Sequence, residues 1–206
     1  MVVCSAFRIS HSAFADVMTV VFDSIVGICW AVFVIYWLIS ATRTKLVAEK
    51  QGLWSGLAHR IPLGCGYVLL AARHLPPPMN LSITPRANWT GAMGACVCTL
   101  GLLTTLWARW TLGGNWSSAV TFKQEHELIR TGPYRWVRHP IYTGLLVMAL
   151  GVALDFGPLH CWLALPVIAV AFWIKLKQEE RLLLRHFPQE YPIYMRQVKA
   201  LVPFFI

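Results

Sequence analysis

The sequence predicts an all-α integral membrane protein of about five transmembrane helices, the last two forming a tight hairpin. Three observations predict it. Of the 206 residues, 57% are hydrophobic and only 13% are charged, where a soluble domain carries about 25% charged residues. The charges lie mostly between long apolar runs rather than within them. The cations are also divided unevenly among the segments that join those runs. This composition excludes a disordered chain and a soluble enzyme. The length suits one membrane domain over 1–206, with three spans in 1–110 and the dense polar sequence in 111–206.

The first apolar run covers 17–40, with Asp23 as its only charge. About 20 helical residues cross the hydrocarbon core, so this is a span. Residues 54–72 form a weaker second candidate, interrupted by His59 and Arg60. It fits either an interfacial turn followed by a short helix or a segment that dips in without crossing. Pro76-Pro77-Pro78 then enforces an extended loop. Residues 89–110 form the third span, with Trp89 and Trp110 as interfacial anchors. Gly91 and Gly94, with Ala95, suit close helix packing. Residues 141–157 and 159–173 are two short apolar runs joined at Gly157-Pro158, the signature of a helical hairpin. The second run continues as an amphipathic helix, with Leu176, Leu183, Leu184 and Phe187 among Lys, Arg and Glu.

Five spans place 41–60, 109–140 and 175–206 on one side of the membrane. Those segments hold fifteen of the 18 Lys and Arg residues, leaving Arg8, Arg73 and Arg86 for the other side. Cytoplasmic loops are enriched in Lys and Arg. The expected orientation is therefore N-terminus outside and C-terminus cytoplasmic. A basic excess of +9 otherwise raises nucleic acid as a partner. The placement of the cations between apolar runs argues for topology instead, so no nucleic acid is expected. Cys96-Val97-Cys98 lacks a second Cys or His pair at zinc spacing, and no metal site is expected.

Two polar blocks on the basic side flank the hairpin, so folding it brings them together. The first runs from Arg130 to Gly144. Pro140 suits the first position of a helix, which puts His139 at the cap beside Arg135 and Arg138. A helix N-terminus with cations beside it suits a carboxylate or phosphate. Tyr134, Trp136 and Tyr142 supply flat faces. The second block, from Lys175 to Tyr194, carries Glu179-Glu180, the only adjacent acids in the chain. An anion site facing an acid site suits a zwitterionic cofactor. The same residues also read as interfacial anchors, an aromatic belt and helix-surface pairs of Glu179 with Lys175 and Glu180 with Lys177. Spacing alone leaves both readings open.

Leu112-Gly-Gly-Asn-Trp-Ser117, His126-Glu-Leu-Ile-Arg-Thr-Gly-Pro-Tyr134, Arg138-His-Pro-Ile-Tyr-Thr-Gly144, Glu179-Glu180 and Tyr191-Pro-Ile-Tyr194 together resemble the isoprenylcysteine carboxyl methyltransferase family. That family lies in a wider group with phospholipid N-methyltransferases. The resemblance covers roughly Leu112 to the C-terminus. It implies an S-adenosyl-L-methionine-dependent methyltransferase, leaving S-adenosyl-L-homocysteine, with a cytoplasmic cofactor pocket. A lipid or prenylated substrate would enter from the bilayer, among membrane lipids. Carried over by position, His139, Tyr142, Gly144 and Glu180 would contact the cofactor, together with Glu179 and the backbone at Pro133 and Tyr134. Arg138 would be the catalytic or substrate-positioning residue. Pro188 departs from the family's usual glycine and puts the turn before Tyr191 in question.

Methyl transfer from a sulfonium is an in-line displacement that depends on alignment. A carboxylate acceptor is already ionised, and the sequence shows no well-placed base for an amine or thiol. Carboxyl methylation is favoured over phospholipid N- or thiol S-methylation. The other enzyme class is an NADPH-dependent sterol-reductase-like membrane protein, which resembles the same C-terminal block.

Overall fold

A computed structural model describes residues 11–42, 47–50, 53–73, 75–116, 121–123 and 128–203. Of the residues singled out above, Arg8, Ser117, His126 and Glu127 lie outside the described residues. Five long helices fall on the five apolar segments. They are α1 (His11–Ala41), α2 (Leu53–Ala71), α3 (Asn88–Leu112), α4 (Pro140–Phe156) and α5 (Leu159–His186). A short α6, Glu190–Gln197, follows. The all-α expectation needs one amendment. β1 (Val47–Lys50) and β2 (Thr121–Lys123) pair antiparallel, joining the segments that follow α1 and α3. Strands of four and three residues are too short to show a period of two in the sequence.

Among the described residues, three helices are long and apolar enough to cross a membrane, spanning Asp16–Ala41, Asn88–Asn115 and Leu159–His186. The chain is a multi-pass integral membrane protein. The 17-residue α4 extends about 26 Å at the helical rise. α2 runs as one helix through His59, Arg60 and Pro62, so no turn separates 54–60 from 61–71. His59 is buried, with Nδ1 2.9 Å from Gln178 Oε1 on α5. The Gln178 amide donates in turn to the Ser55 carbonyl at 2.9 Å. The His59 side chain that weakens α2 as an isolated span is therefore satisfied by Gln178 across the bundle.

α4 packs most closely on α3, and α5 on α2. Glycine sets the first contact. A Cβ on Gly101 would meet the Gly144 carbonyl oxygen at 2.6 Å, and one on Gly94 would meet the Gly151 carbonyl oxygen at 2.7 Å. The predicted close approach of α3 is thus made by its glycines against α4. Gly157 turns the hairpin in the left-handed region at φ 84°, and its N–H bonds the Ala153 carbonyl at 3.0 Å. The 79–83 loop seals this tip through Ile83 N to Gly157 O at 2.8 Å and Leu159 N to Leu81 O at 2.8 Å.

α1 is fastened at two levels. Arg109 on α3 donates to the Ser40 carbonyl at 2.7 Å and lies 4.6 Å from the Trp116 ring centroid. Nearer the middle of α1, Arg86 donates to Asp23 at 2.5 Å. Because α4 leans on α3 and α5 on α2, the arms of the hairpin leave space between them. α1 and α2 close that space into a cavity.

Candidate active site

The cavity has a volume of about 1190 Å³. One end lies where α4 begins and α5 leaves the bundle. There Tyr134, Arg138, His139, Tyr142, Lys175 and Glu179 reach its wall. From that end it descends between apolar side chains of α1, α2, α4 and α5.

The 3-10 turn Gly132–Arg135 and the capping residue His139 deliver the first polar block. Gly132 adopts φ 58° and starts the turn. Its carbonyls are used internally: Pro133 O accepts from Trp136 N at 3.1 Å and Val137 N at 3.3 Å. Tyr134 O accepts the Tyr194 hydroxyl at 2.5 Å. Burial pushes the Tyr134 and Tyr191 phenols up and the Tyr194 phenol to about 12, so all three remain neutral O–H groups.

The C-terminal segment pairs with the strand-like residues before α4. Arg138 N bonds Lys199 O at 2.8 Å, and His139 N bonds Ala200 O at 3.0 Å. This corrects the expected anion site. The N–H groups of Tyr142 and Thr143 turn back to the His139 carbonyl, at 3.0 and 3.1 Å. The α4 N-terminus is therefore nearly saturated by protein. Arg135 is exposed and lies against Trp136, 6.0 Å from its ring centroid, outside the cavity lining.

Arg138 is equally committed. Its Nε and Nη2 donate to Glu180 Oε1 at 3.0 and 2.5 Å. Its Nη1 donates to the carbonyls of Met195, at 3.3 Å, and Val198. The two side chains are 7% and 3% exposed. Lys177 Nζ adds a contact to Glu180 Oε2 at 3.3 Å. Glu180 does not reach the cavity wall; it anchors Arg138, which ties α5 to α6 and the C-terminal segment.

Glu179 points the other way. It accepts the Tyr142 hydroxyl at 2.6 Å, and its Oε2 lies 3.6 Å from His139 Nδ1. The Tyr142 ring stacks on His139, with centroids 5.5 Å apart and an interplanar angle of 7°, and on Phe172 at 4.8 Å and 12°. Lys175 Nζ lies 5.3 Å from the Tyr142 ring centroid, within cation–π range. His139 Nε2 is buried and lies 3.5 Å from Glu180 Oε1, so the imidazole sits between the two acids.

Two other expected contacts lie elsewhere. Gly144 faces α3, where a Cβ would meet Thr105 Oγ1 at 2.1 Å and Gly101 O at 2.7 Å. Its glycine identity is explained by helix packing. Pro133 is buried in its own turn and is absent from the cavity lining. Pro188 sits in the turn between α5 and α6, which closes through Tyr191 N to Phe187 O at 3.0 Å. Proline is accommodated there without opening that bond. Lys175 lines the site although the sequence offered it only as a helix-surface partner of Glu179.

An acid, two stacked rings and a cation thus meet at the mouth of an apolar cavity, all within one matched stretch of sequence or its C-terminal extension. Residues 93–185 match the isoprenylcysteine carboxyl methyltransferase family. The family match begins in α3 and ends in α5, so it includes every polar wall residue named above. A protein-S-isoprenylcysteine O-methyltransferase of Tribolium castaneum is 33% identical over 123 residues, covering 57% of this chain and 43% of the relative. The protein of that name from Saccharomyces cerevisiae is 34% identical over 115 residues, covering 54% and 48%. This chain therefore spans less than half the length of these methyltransferase relatives. A solved structure of the eukaryotic intramembrane Ras methyltransferase, isoprenylcysteine carboxyl methyltransferase, aligns over 74% of this chain and 50% of that one, at 29% identity and a TM-score of 0.48.

Proposed function

We propose that this chain is an S-adenosylmethionine-dependent methyltransferase that methylates the carboxylate of a prenylated or otherwise lipidic acceptor. The observation that carries the reading is the cavity itself, in which the Glu179, Tyr142, His139 and Lys175 cluster opens onto an apolar interior. The family match over 93–185 and the names of its relatives support it.

S-adenosylmethionine supplies an electrophilic methyl group on a sulfonium. The residues present fit it. Glu179 is a carboxylate held in place by the Tyr142 hydroxyl and suits an ammonium group. The stacked faces of His139 and Tyr142 suit a flat ring or a sulfonium. The volume exceeds the roughly 300–1,000 Å³ of ordinary single-ligand sites, which leaves room for donor and acceptor together.

A carboxylate acceptor is an anion at neutral pH, so the protein has to aim it rather than deprotonate it. Arg138 already spends its donors on Glu180 and two backbone carbonyls. Lys175, a cavity-wall residue one turn before Glu179 with Nζ 5.3 Å from the Tyr142 ring centroid, is the residue to which we assign the acceptor carboxylate. Arg138 then positions the site by holding Glu180 and the C-terminal segment. The concentration of cations in its segments supports a polar end that faces the cytoplasm.

The test uses purified full-length chain in lipid nanodiscs with methyl-labelled S-adenosylmethionine. Label should enter a prenylated cysteine with a free carboxylate and should not enter its amide. Lys175→Met should raise KM for that acceptor at least tenfold while S-adenosylhomocysteine still raises Tm; Glu179→Gln should weaken the S-adenosylhomocysteine response. Absence of label in any lipidic acceptor, together with a Tm that responds to NADPH alone, overturns the reading in favour of a reductase.

A further inference from the structure

Leu63, Tyr67 and Leu70 share one face of α2, and all three line the cavity. Tyr67 differs from its two neighbours in carrying a hydroxyl. Its ring meets the Trp30 ring of α1 edge-on, with centroids 5.6 Å apart and an interplanar angle of 80°. Trp30 is midway between Asp23 and Trp37, which bound the α1 part of the wall, at about 10 Å from each at the helical rise. A tyrosine at the headgroup level is an ordinary interfacial anchor. One midway along an apolar cavity needs another reason.

The protein's own packing does not supply that reason. The Tyr67 hydroxyl makes no hydrogen bond among the described residues. Nor is its oxygen sealed off by protein, so it is open to what fills the cavity. The wall residues one turn away on the two helices, Val26, Phe33, Val34, Leu63 and Leu70, offer no side-chain partner. A hydroxyl in apolar surroundings costs free energy unless it is bonded. Phenylalanine would keep the contact with Trp30 without that cost. A plain hydrocarbon chain leaves the hydroxyl unmet, whereas a chain with an oxygen at this depth satisfies it.

We propose that Tyr67 is a specificity-determining residue that donates a hydrogen bond to a carbonyl or ether oxygen carried within the acceptor's chain. The acceptor class is then an oxygen-bearing lipid acid rather than one with a plain hydrocarbon tail. This inference rests on the methyltransferase reading above and narrows its acceptor. An extended chain advances about 3.3–3.6 Å over three bonds, so the oxygen falls about eight bonds below the level of Trp37. Leaving a desolvated polar group unmet in one complex and meeting it in another separates the two by roughly five- to 150-fold.

Three cysteine thioether acceptors test this on the full-length protein in nanodiscs. One bears a plain hexadecyl chain, one the same chain with a ketone about eight carbons from sulfur, and one with the ketone at the sulfur end. Wild type should favour the mid-chain ketone over the plain chain at least fivefold in kcat/KM, and the sulfur-end ketone should gain no such preference. Tyr67→Phe should lower the ratio of mid-chain ketone to plain chain at least fivefold, while S-adenosylhomocysteine still raises its Tm. Equal use of all three acceptors by wild type, an equal preference for both ketones, or a Tyr67→Phe variant that scales every acceptor by one factor overturns the assignment and leaves the methyltransferase reading intact. No methylation of any acceptor by wild type removes that reading and this inference with it.

Discussion

Replacing Arg138 with alanine should act first on stability and only through stability on activity. The guanidinium and Glu180 are 7% and 3% exposed, and two donors of the one meet a single oxygen of the other. Removing one partner of such a buried pair costs about 3–5 kcal/mol, and Lys177 Nζ at 3.3 Å and His139 Nε2 at 3.5 Å remain beside the Glu180 carboxylate. The loss also frees the carbonyls of Met195 and Val198. For a chain of this size 1 kcal/mol corresponds to roughly 2–4 °C in Tm, so Arg138→Ala should melt roughly 6–20 °C below wild type. The companion change is Glu180→Gln, which removes the charge that Arg138→Ala strands. In the double variant the penalty should fall short of the sum of the singles by about 2 kcal/mol or more, within the range for contacting residues. Thermal denaturation of the four proteins in one detergent gives the cycle. A wild-type Tm for Arg138→Ala, accompanied by lost turnover and an intact response to S-adenosylhomocysteine, would refute this reasoning and return Arg138 to direct contact with substrate.

Further outcomes follow from the same contacts. Gly144→Ala places a Cβ 2.1 Å from Thr105 Oγ1 and 2.7 Å from the Gly101 carbonyl oxygen; it should destabilise by about 1–3 kcal/mol, and a paired Thr105→Ala should recover part of the loss in a thermal melt. Tyr142→Phe removes the hydroxyl that holds Glu179; a hydrogen bond to a charged group is worth about 1.5–3 kcal/mol, so the S-adenosylhomocysteine Kd measured by calorimetry should rise about tenfold or more. Truncation after Gln197 deletes the carbonyls of Lys199 and Ala200 that pair with Arg138 and His139; the protein should still insert but show no cofactor-dependent rise in Tm. A reporter fused to the C-terminus should be active in the cytoplasm, and activity only outside would contradict the orientation.

The sequence made the helices legible because each is a local pattern: an apolar run bounded by turn chemistry or aromatics. Gly157-Pro158 likewise announces the hairpin from two adjacent residues. The meeting of the Arg130–Gly144 block with Glu179 and Glu180 followed from that hairpin. What was not legible depends on partners far along the chain. α2 reads as broken until Gln178 is seen to take His59, and no local period carries that pairing. The α4 N-terminus reads as an open anion site until Lys199 and Ala200 are seen to occupy it. The adjacent acids Glu179 and Glu180 read as equivalent. About 100° of helical rotation sends one to the cavity and the other to Arg138. Lys175 was visible as a helix-surface residue and became a wall residue only when α5 was seen to lean on α2 rather than on α4.

α5 is one unbroken helix of 28 residues, and its continuity fixes the phase between depth and chemistry. Cys161, Phe172, Lys175 and Glu179 all face the same cavity along it. Each inserted residue turns everything above it by about 100° and lifts it about 1.5 Å. A single insertion between Cys161 and Phe172 would therefore swing Glu179 out of the wall and bring another side chain to its bearing. Length can be added to this cavity along α5 with the bearing of Glu179 kept only in near-whole turns, as with about seven residues and ~10 Å at a time. Finer variation in the size of molecule accepted falls to exchanging one side chain for another at positions already facing inward, and the helix keeps time for both ends.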